Sequence, residues 1–281
     1  MTTPTAPEIL VERSDAGVVT LTLNRPHVKN AISAGMWEEL RRVLQEVTQR
    51  EADRVLVITG AGGDFCTGAD LGGVAIDAHP LHGMQPVSAA AIALHEVSKP
   101  VIAKVRGAAV GAGMNLALGC DLIVASENAR FSEIFSRRAL SVDFGGTWLL
   151  PRLVGLHKAK ELAFFGDLLS ARDAHELGLV NRVVADGELD AFVADWASRL
   201  ANGPPIALQM TKRMLTNASS LSLAEALGWE ATAQAVNFAS RDTREGVTAF
   251  LEKRPRYFAG AERTPSRKGS GSFRQLSLWE S

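Results

Sequence analysis

Two continuous apolar runs, Arg54-Val-Leu-Val-Ile-Thr59 and Pro100-Val-Ile-Ala-Lys-Val105, constrain this chain more than any other feature. Each has the length and composition of a strand, and neither alternates polar with apolar residues. Such a strand is covered on both faces, as in parallel sheets whose crossovers are helices. Each run ends in small residues, Gly60-Ala-Gly-Gly63 after the first and Gly107 to Gly113 after the second. A helical pattern from Ala112 to Leu118 follows the second run, and a further strand, Leu122-Ile-Val-Ala125, follows that.

The same order begins upstream. In Gly17-Val-Val-Thr-Leu-Thr-Leu23 the residues Val19, Leu21 and Leu23 alternate with Val18, Thr20 and Thr22, and Asn24-Arg25-Pro26 stops the strand. Ser33 is placed to cap a helix from Ala34 to Arg50, with Met36, Trp37, Leu40, Val43, Leu44 and Val47 on one face. Alternating strand, turn and helix predict a layered α/β architecture with right-handed connections. Beyond Pro205 the strand patterns cease, and helices are expected over Ile206 to Thr216, Leu223 to Ser240 and Arg241 to Glu252. The expected organisation is therefore a core over 8–205, a helical region over 206–260 and a flexible tail over 261–281. The tail is rich in Ser, Gly, Arg and Lys, and carries Phe273, Leu276, Leu278 and Trp279.

The 281 residues suffice for one large core, and a net charge of −1 gives no basic excess for a nucleic-acid surface. No apolar run approaches the roughly 20 residues that a membrane helix needs. Met1 to Pro7 lacks the basic and then apolar layout of a secretory signal, so a cytoplasmic location is expected. Cys66 and Cys120 read as small buried hydrophobes, without metal-ligand spacing.

Chemistry concentrates in two stretches, Gly62-Gly-Asp-Phe-Cys-Thr-Gly-Ala-Asp-Leu71 and Gly107-Ala-Ala-Val-Gly-Ala-Gly-Met-Asn-Leu116. Small residues let backbone N–H groups approach a ligand, and a helix start leaves N–H groups unpaired. Two such stretches facing each other would make an oxyanion hole. The same small residues would equally permit close helix–strand packing. Neither stretch is a phosphate-cradling GxxxxGK[ST] loop.

Taken in order, several blocks resemble the consecutive signatures of the crotonase (enoyl-CoA hydratase/isomerase) superfamily. They are Arg25-Pro26 with Asn30-Ala31, Gly63-Asp-Phe-Cys-Thr-Gly-Ala-Asp-Leu71, Lys99-Pro-Val-Ile-Ala103 and Gly107 to Asp121, followed by Gly145-Gly-Thr147, Leu150-Pro-Arg-Leu-Val-Gly155, Ala174 to Val180 and Phe250-Leu-Glu-Lys-Arg-Pro255. Each block alone is weak, but the ordered set is specific. The resemblance implies a spiral of β-β-α turns with a helical C-terminal trimerisation region, assembled as a homotrimer or as a hexamer of two trimers. It implies an acyl-CoA thioester substrate, with coenzyme A part of that substrate, no separate cofactor, no metal and no nucleic-acid or membrane partner. It assigns the oxyanion-hole amides to Ala69 and Ala112, and the thioester contacts to Ala31, Asp70, Leu71 and Gly72. Phe250 and Lys253 match positions that reach the adenine and phosphates of CoA in a neighbouring subunit; they also read as an apolar contact and a solvated lysine. Asp70 is more in keeping with a loop-ordering side chain than with an acid.

The sequence departs from the family's hydratases at the two carboxylates. Asn115 and Phe135 stand where both catalytic Glu residues are expected, and neither can shuttle a proton. Glu133 lies two residues from the second position; on a strand it would share a face with Phe135, one pleat away. Asp143, two residues before Gly145-Gly146, instead matches the catalytic Asp of the family's dienoyl-CoA isomerases. Asn115, Phe135 and Asp143 together most resemble the ring-epoxide isomerases and the Δ3,Δ2-enoyl-CoA isomerases. A base flanked by Phe135, Phe144 and Trp148 would have its pKa raised by desolvation. Asp143 also reads as a turn or N-cap aspartate before two glycines. His79, His82 and His95 lie in or after the Pro/Gly-containing segment Ala78 to Pro86, which is expected to cover the acyl pocket, and they read as solvated loop histidines.

Three functions follow from these readings. The first is an acyl-CoA isomerase with one Asp base. The second is a 2-enoyl-CoA hydratase in which Asp143 works with another group. The third is a non-catalytic CoA-thioester or RNA binder, disfavoured by the near-zero charge and the retained amide positions.

Overall fold

In a computed structural model, residues 6–73 and 80–258 are described. Strands β1 (Ile9–Arg13) and β2 (Val18–Leu23) pair antiparallel, and the period of two in β2 buries Val19, Leu21 and Leu23. Helix α1 (Ala34–Gln49) starts where expected: extended Ser33 accepts a hydrogen bond from the Met36 N–H, and all six apolar positions read from the sequence are buried. Strand β3 (Val55–Gly60) lies parallel to β2, helix α2 (Pro80–His95) follows, and β4 (Val101–Val105) lies parallel to β3.

The next two turns of the chain show the repeating unit. β4 leads into a short strand, β5 (Ala108–Val110), and then helix α3 (Ala112–Leu118); β6 (Leu122–Ser126) leads into β7 (Arg130–Ser132) and then α4 (Gly146–Phe165), which is kinked at Gly155. β8 (Leu169–Ser170), α5 (Ala171–Glu176), β9 (Arg182–Val184) and α6 (Leu189–Ala201) complete the core. The strands form a six-stranded sheet, β1-β2-β3-β4-β6-β9, and a three-stranded sheet, β5-β7-β8. The turns β4-β5-α3 and β6-β7-α4 thus each contribute one strand to each sheet, the repeat of the expected spiral.

Both faces of the main sheet are covered, and this explains its unbroken apolar runs. Leu56 and Ile58 of β3 join the larger cluster with α1, α2 and α3, while Val55 and Val57 pack on Leu189, Val193 and Ala197 of α6. The small-residue stretch from Gly107 to Gly113 contains β5, because parallel pairing with β7 gives its backbone groups partners. The expected covering loop is corrected from Pro80 onward: it is helix α2, which buries Val87, Ala90 and Leu94 at helical spacing despite Pro86. His79 and the 261–281 tail lie outside the described residues.

Helices α7 (Pro205–Asn217), α8 (Leu223–Ala239) and α9 (Arg241–Leu251) follow the core as expected and bury few residues of their own. Lys212 Nζ anchors α7 by donating to Asp121 Oδ2 and the Lys99 carbonyl, at 2.7 and 3.0 Å. Leu215, Leu223, Leu227, Phe238 and Phe250 remain exposed along these helices. Among the described residues, no helix is long and apolar enough to cross a membrane.

One close approach joins the two small-residue stretches. A Cβ added to Gly113 would stand 2.2 Å from the Cys66 carbonyl oxygen, inside contact distance of backbone that has no rotamer to change. Gly113→Ala is therefore expected to destabilise the fold by about 1–3 kcal/mol, the usual cost of overpacking. Chemical denaturation against the wild type checks this, and an unchanged midpoint would refute it.

Candidate active site

The stretch 65–69 runs beside 108–112. The Phe65 and Cys66 N–H groups donate to the Ala108 carbonyl, the Val110 N–H donates to the Cys66 carbonyl, and Cys66 bridges Ala109 in parallel register. A Cβ on Gly68 would stand 3.3 Å from the Ala112 nitrogen, so the two backbones nearly touch. Gly111, with φ of 58°, turns the chain from β5 into α3, and Ala112 is the first residue of that helix. Among the described residues, neither the Ala69 nor the Ala112 N–H has an acceptor. Two adjacent unpaired donors are what an oxyanion hole requires.

The loop bearing Ala69 is held from below. Ile32 bridges Ala69, the Asp70 N–H donates to the Ile32 carbonyl, and Arg25 donates both to the Ala31 carbonyl and to Asp70 Oδ2, each at 2.8 Å. Asp70 Oδ1 accepts from the Gly72 N–H. The Arg25 guanidinium holds the Asp70 carboxyl below the usual carboxylate range, so this Asp stays charged and orders the loop. Leu71 is exposed beside it.

Asp143 sits on the turn before α4. Phe144 and Gly145 follow it with φ of 47° and 80°, and Gly145, not Asp143, is the N-cap. A left-handed Phe is strained unless its surroundings fix it. Here the buried Phe144 ring packs on Trp37, with centroids 5.4 Å apart. The Asp143 carboxyl caps nothing: its Oδ1 is buried without a hydrogen-bond partner among the described residues. Burial pushes this carboxyl up to about 6.

A second carboxyl stands close by, and the sequence reading undervalued it. Asn115, fully buried on α3, donates through Nδ2 to the Asp143 carbonyl at 2.9 Å and to Glu133 Oε2 at 3.4 Å. Glu133 is 1% exposed, with Oε1 unpartnered. Burial pushes its carboxyl up to about 7, opposed by the Asn115 hydrogen bond and reinforced by the Asp143 charge. The condition under which Glu133 would share a face with Phe135, a strand over both, is not met. β7 ends at Ser132, and Glu133 begins a 3-10 helix over Ile134–Arg138, so Glu133 and Phe135 do not alternate as on a strand. The Ser132 hydroxyl donates to the Gly166 carbonyl, which fixes where β7 ends.

Phe135 is buried, with its ring edge 3.7 Å from where a Gly111 side chain would begin, so it walls the helix start that carries Ala112. Trp148, on the first turn of α4, is 38% exposed; His95 meets its ring edge-on at 5.2 Å and Arg152 lies over it at 3.9 Å. His95 thus lies on α2 instead of in a loop. Phe250 and Lys253 are not brought to this cluster within one chain: Phe250 lies in the last turn of α9 and Lys253 just beyond its end, α9 packs on α8, and Phe250 is 82% exposed. Among the described residues, no three His, Cys, Asp or Glu side chains are grouped to hold a metal ion.

Residues 13–261 match the enoyl-CoA hydratase/isomerase family. The chain is 39% identical to the 1,2-epoxyphenylacetyl-CoA isomerase of Escherichia coli K12, over 90% of this chain and 99% of that one. It is 35% identical to the 2,3-dehydroadipyl-CoA hydratase of the same organism, over 90% and 99% of the two chains. The solved structure of an enoyl-CoA hydratase from Mycobacterium smegmatis superposes with a TM-score of 0.86 at 34% identity, covering 90% of this chain and 99% of that one.

Proposed function

The chain belongs to the enoyl-CoA hydratase/isomerase family, and from that membership we propose that it is an acyl-CoA isomerase with Asp143 as its base. The observation that carries this reading is the half-buried Asp143 carboxyl, unpartnered at its buried Oδ1 and raised toward neutrality, on a turn that Asn115 ties to α3, the helix whose first residue, Ala112, has a free N–H. A structural aspartate would have spent its oxygens on a cap or an ion pair. The carboxylate takes a proton alpha to the thioester, and the C–H electron pair moves into an enolate whose oxygen the Ala69 and Ala112 N–H groups hold. Returning the proton at a different carbon shifts a double bond and leaves the base as it began. Opening of a ring epoxide on the same thioester is within reach of the same groups.

In this reading coenzyme A is part of the substrate and no other cofactor takes part. Ala31, Asp70, Leu71 and Gly72 line the thioester, and Phe135, Phe144 and Trp148 border the acyl side. The exposed apolar positions of α7 to α9 support a homotrimer or a hexamer, with Phe250 and Lys253 directed to the CoA of a neighbouring copy. A second reading, 2-enoyl-CoA hydration, is favoured by one observation: Glu133 supplies the second carboxyl that addition of water demands.

The purified protein assayed with a 3-enoyl-CoA and with crotonyl-CoA separates the two. Isomerisation of the first is expected to outpace hydration of the second. Fast hydration without isomerisation would overturn the isomerase reading.

A further inference from the structure

We propose that Glu133 is a positioning residue for Asp143: through Asn115 it holds the turn that carries Asp143, and the two carboxyls gain and lose protons as one two-proton unit. The inference rests on Asp143 acting as the base. The geometry is a bridge. One amide nitrogen, Asn115 Nδ2, donates both to Glu133 Oε2 and to the Asp143 carbonyl, and Asn115 is itself fully buried. Gly146 leaves room for that amide, since a Cβ there would stand 2.4 Å from Asn115 Nδ2. Both acids also keep one buried oxygen without a partner, Glu133 Oε1 and Asp143 Oδ1.

Among the described residues, no cation intervenes. Helix α3 carries no charged residue. Arg130 on β7 donates to the Glu127 and Ala129 carbonyls. Arg137 pairs with Asp167 and donates to the Phe165 carbonyl, while Arg138 donates to the Arg137 carbonyl. On α4, Arg152 lies over Trp148 and donates to its carbonyl. Of the charged groups around it, Asp143 is the one that raises the Glu133 carboxyl further, whereas burial alone raises Asp143.

Two coupled buried acids lose their protons in two steps that belong to the pair. The first step leaves one negative charge, the state in which Asp143 is a base and Glu133 a neutral acid. The second puts another negative charge beside the position where the enolate must form, and like charges in a poorly solvated site repel strongly. Activity should therefore rise as the first proton leaves and fall as the second does.

The test is the pH dependence of kcat/KM for the wild type, Glu133→Gln and Asp143→Asn. Gln keeps an oxygen for Asn115 Nδ2 and cannot ionise. The wild type should give a bell, and Glu133→Gln should keep the rising limb and lose the falling one. The ratio of variant to wild-type activity would then grow about tenfold by one pH unit above the second step. A bell retained in Glu133→Gln overturns the proposal. If that variant fails to fold, 13C NMR titration of the side-chain carboxyls decides the matter without any activity. The Glu133 midpoint should fall in Asp143→Asn, and an unmoved midpoint overturns the coupling. Failure of Asp143 as the base looks different: Asp143→Asn would then remain fully active whatever the titration shows.

Discussion

Asp143→Asn is expected to lower turnover of a 3-enoyl-CoA by about 10²–10⁴-fold, the typical share of a positioned acid–base group. Asn keeps the volume and the planar shape of the side chain. The backbone that orients it is fixed independently of the carboxyl, by the Asn115 bond to the Asp143 carbonyl and by the Phe144 ring on Trp37. The substitution therefore removes the base and leaves the turn. Binding of an unreactive CoA thioester should change little, because the Ala69 and Ala112 N–H groups are untouched. The stability change should be neutral or favourable: a half-buried carboxyl with one buried, unpartnered oxygen is replaced by an uncharged amide.

The sign of the pH dependence follows from the burial. A base acts only when ionised, and desolvation raises the Asp143 carboxyl to about 6. Wild-type kcat/KM should accordingly climb as pH rises through about 6, a limb that an ordinary exposed aspartate would place nearly two units lower. The residual activity of Asp143→Asn should lack that limb. Full activity in the variant, or a limb that survives the substitution, would remove Asp143 from the base role.

The parts of this fold that were legible in the sequence are those where one physical constraint dominates. The strands β2, β3, β4 and β6, the helix α1 with its Ser33 cap and the three C-terminal helices all show their period or their unbroken apolar run. The short strands β5, β7 and β8 do not, because two or three residues carry no period; what makes them strands is pairing with segments distant in sequence. α4 was hidden for another reason. Pro151 and the non-helical Gly155 interrupt it, so no single apolar stripe runs along its 20 residues.

The site divides along the same line. Motif order singles out Ala69 and Ala112, each inside a run of small residues that has to take one backbone path, and Asp143, two residues before Gly145-Gly146. The same order sets Glu133 aside, because it lies two residues from the position where the second carboxylate is expected. The chain turns into a 3-10 helix immediately after Ser132, and that turn buries the carboxyl against Asn115. A local signal did exist: an ionisable residue in the mostly apolar stretch Ala129-Arg-Phe-Ser-Glu-Ile-Phe135 invites the question of what it is buried against. Answering it requires the distant Asn115 and Asp143, which sequence spacing does not bring together.

The second large effect concerns the other half of the site, the N–H of Ala112. Ala112→Pro deletes that donor and is expected to lower kcat by about 10²–10³-fold, the share of one oxyanion-hole donor. Proline is ordinarily disruptive, but Ala112 is the first residue of α3, where the ring's fixed φ suits a helix start and the missing N–H has no helical acceptor. The usual clash with the preceding residue is also relieved, because Gly111 has no Cβ for the ring to strike. The ring carbon attached to nitrogen stands where the hydrogen pointed, so KM should rise as well. Ala112→Gly supplies the control: it keeps the N–H, loses only a buried methyl and should remain within several-fold of wild type. Loss of activity in both variants would assign the effect to packing around α3, and wild-type kcat in Ala112→Pro would exclude this donor from the reaction. The double variant with Asp143→Asn adds a last discrimination. If base and donor serve one enolate, removing both should be far less damaging than the product of the two single losses, because neither group has a transition state to stabilise once the other is gone. Two independent defects would multiply instead.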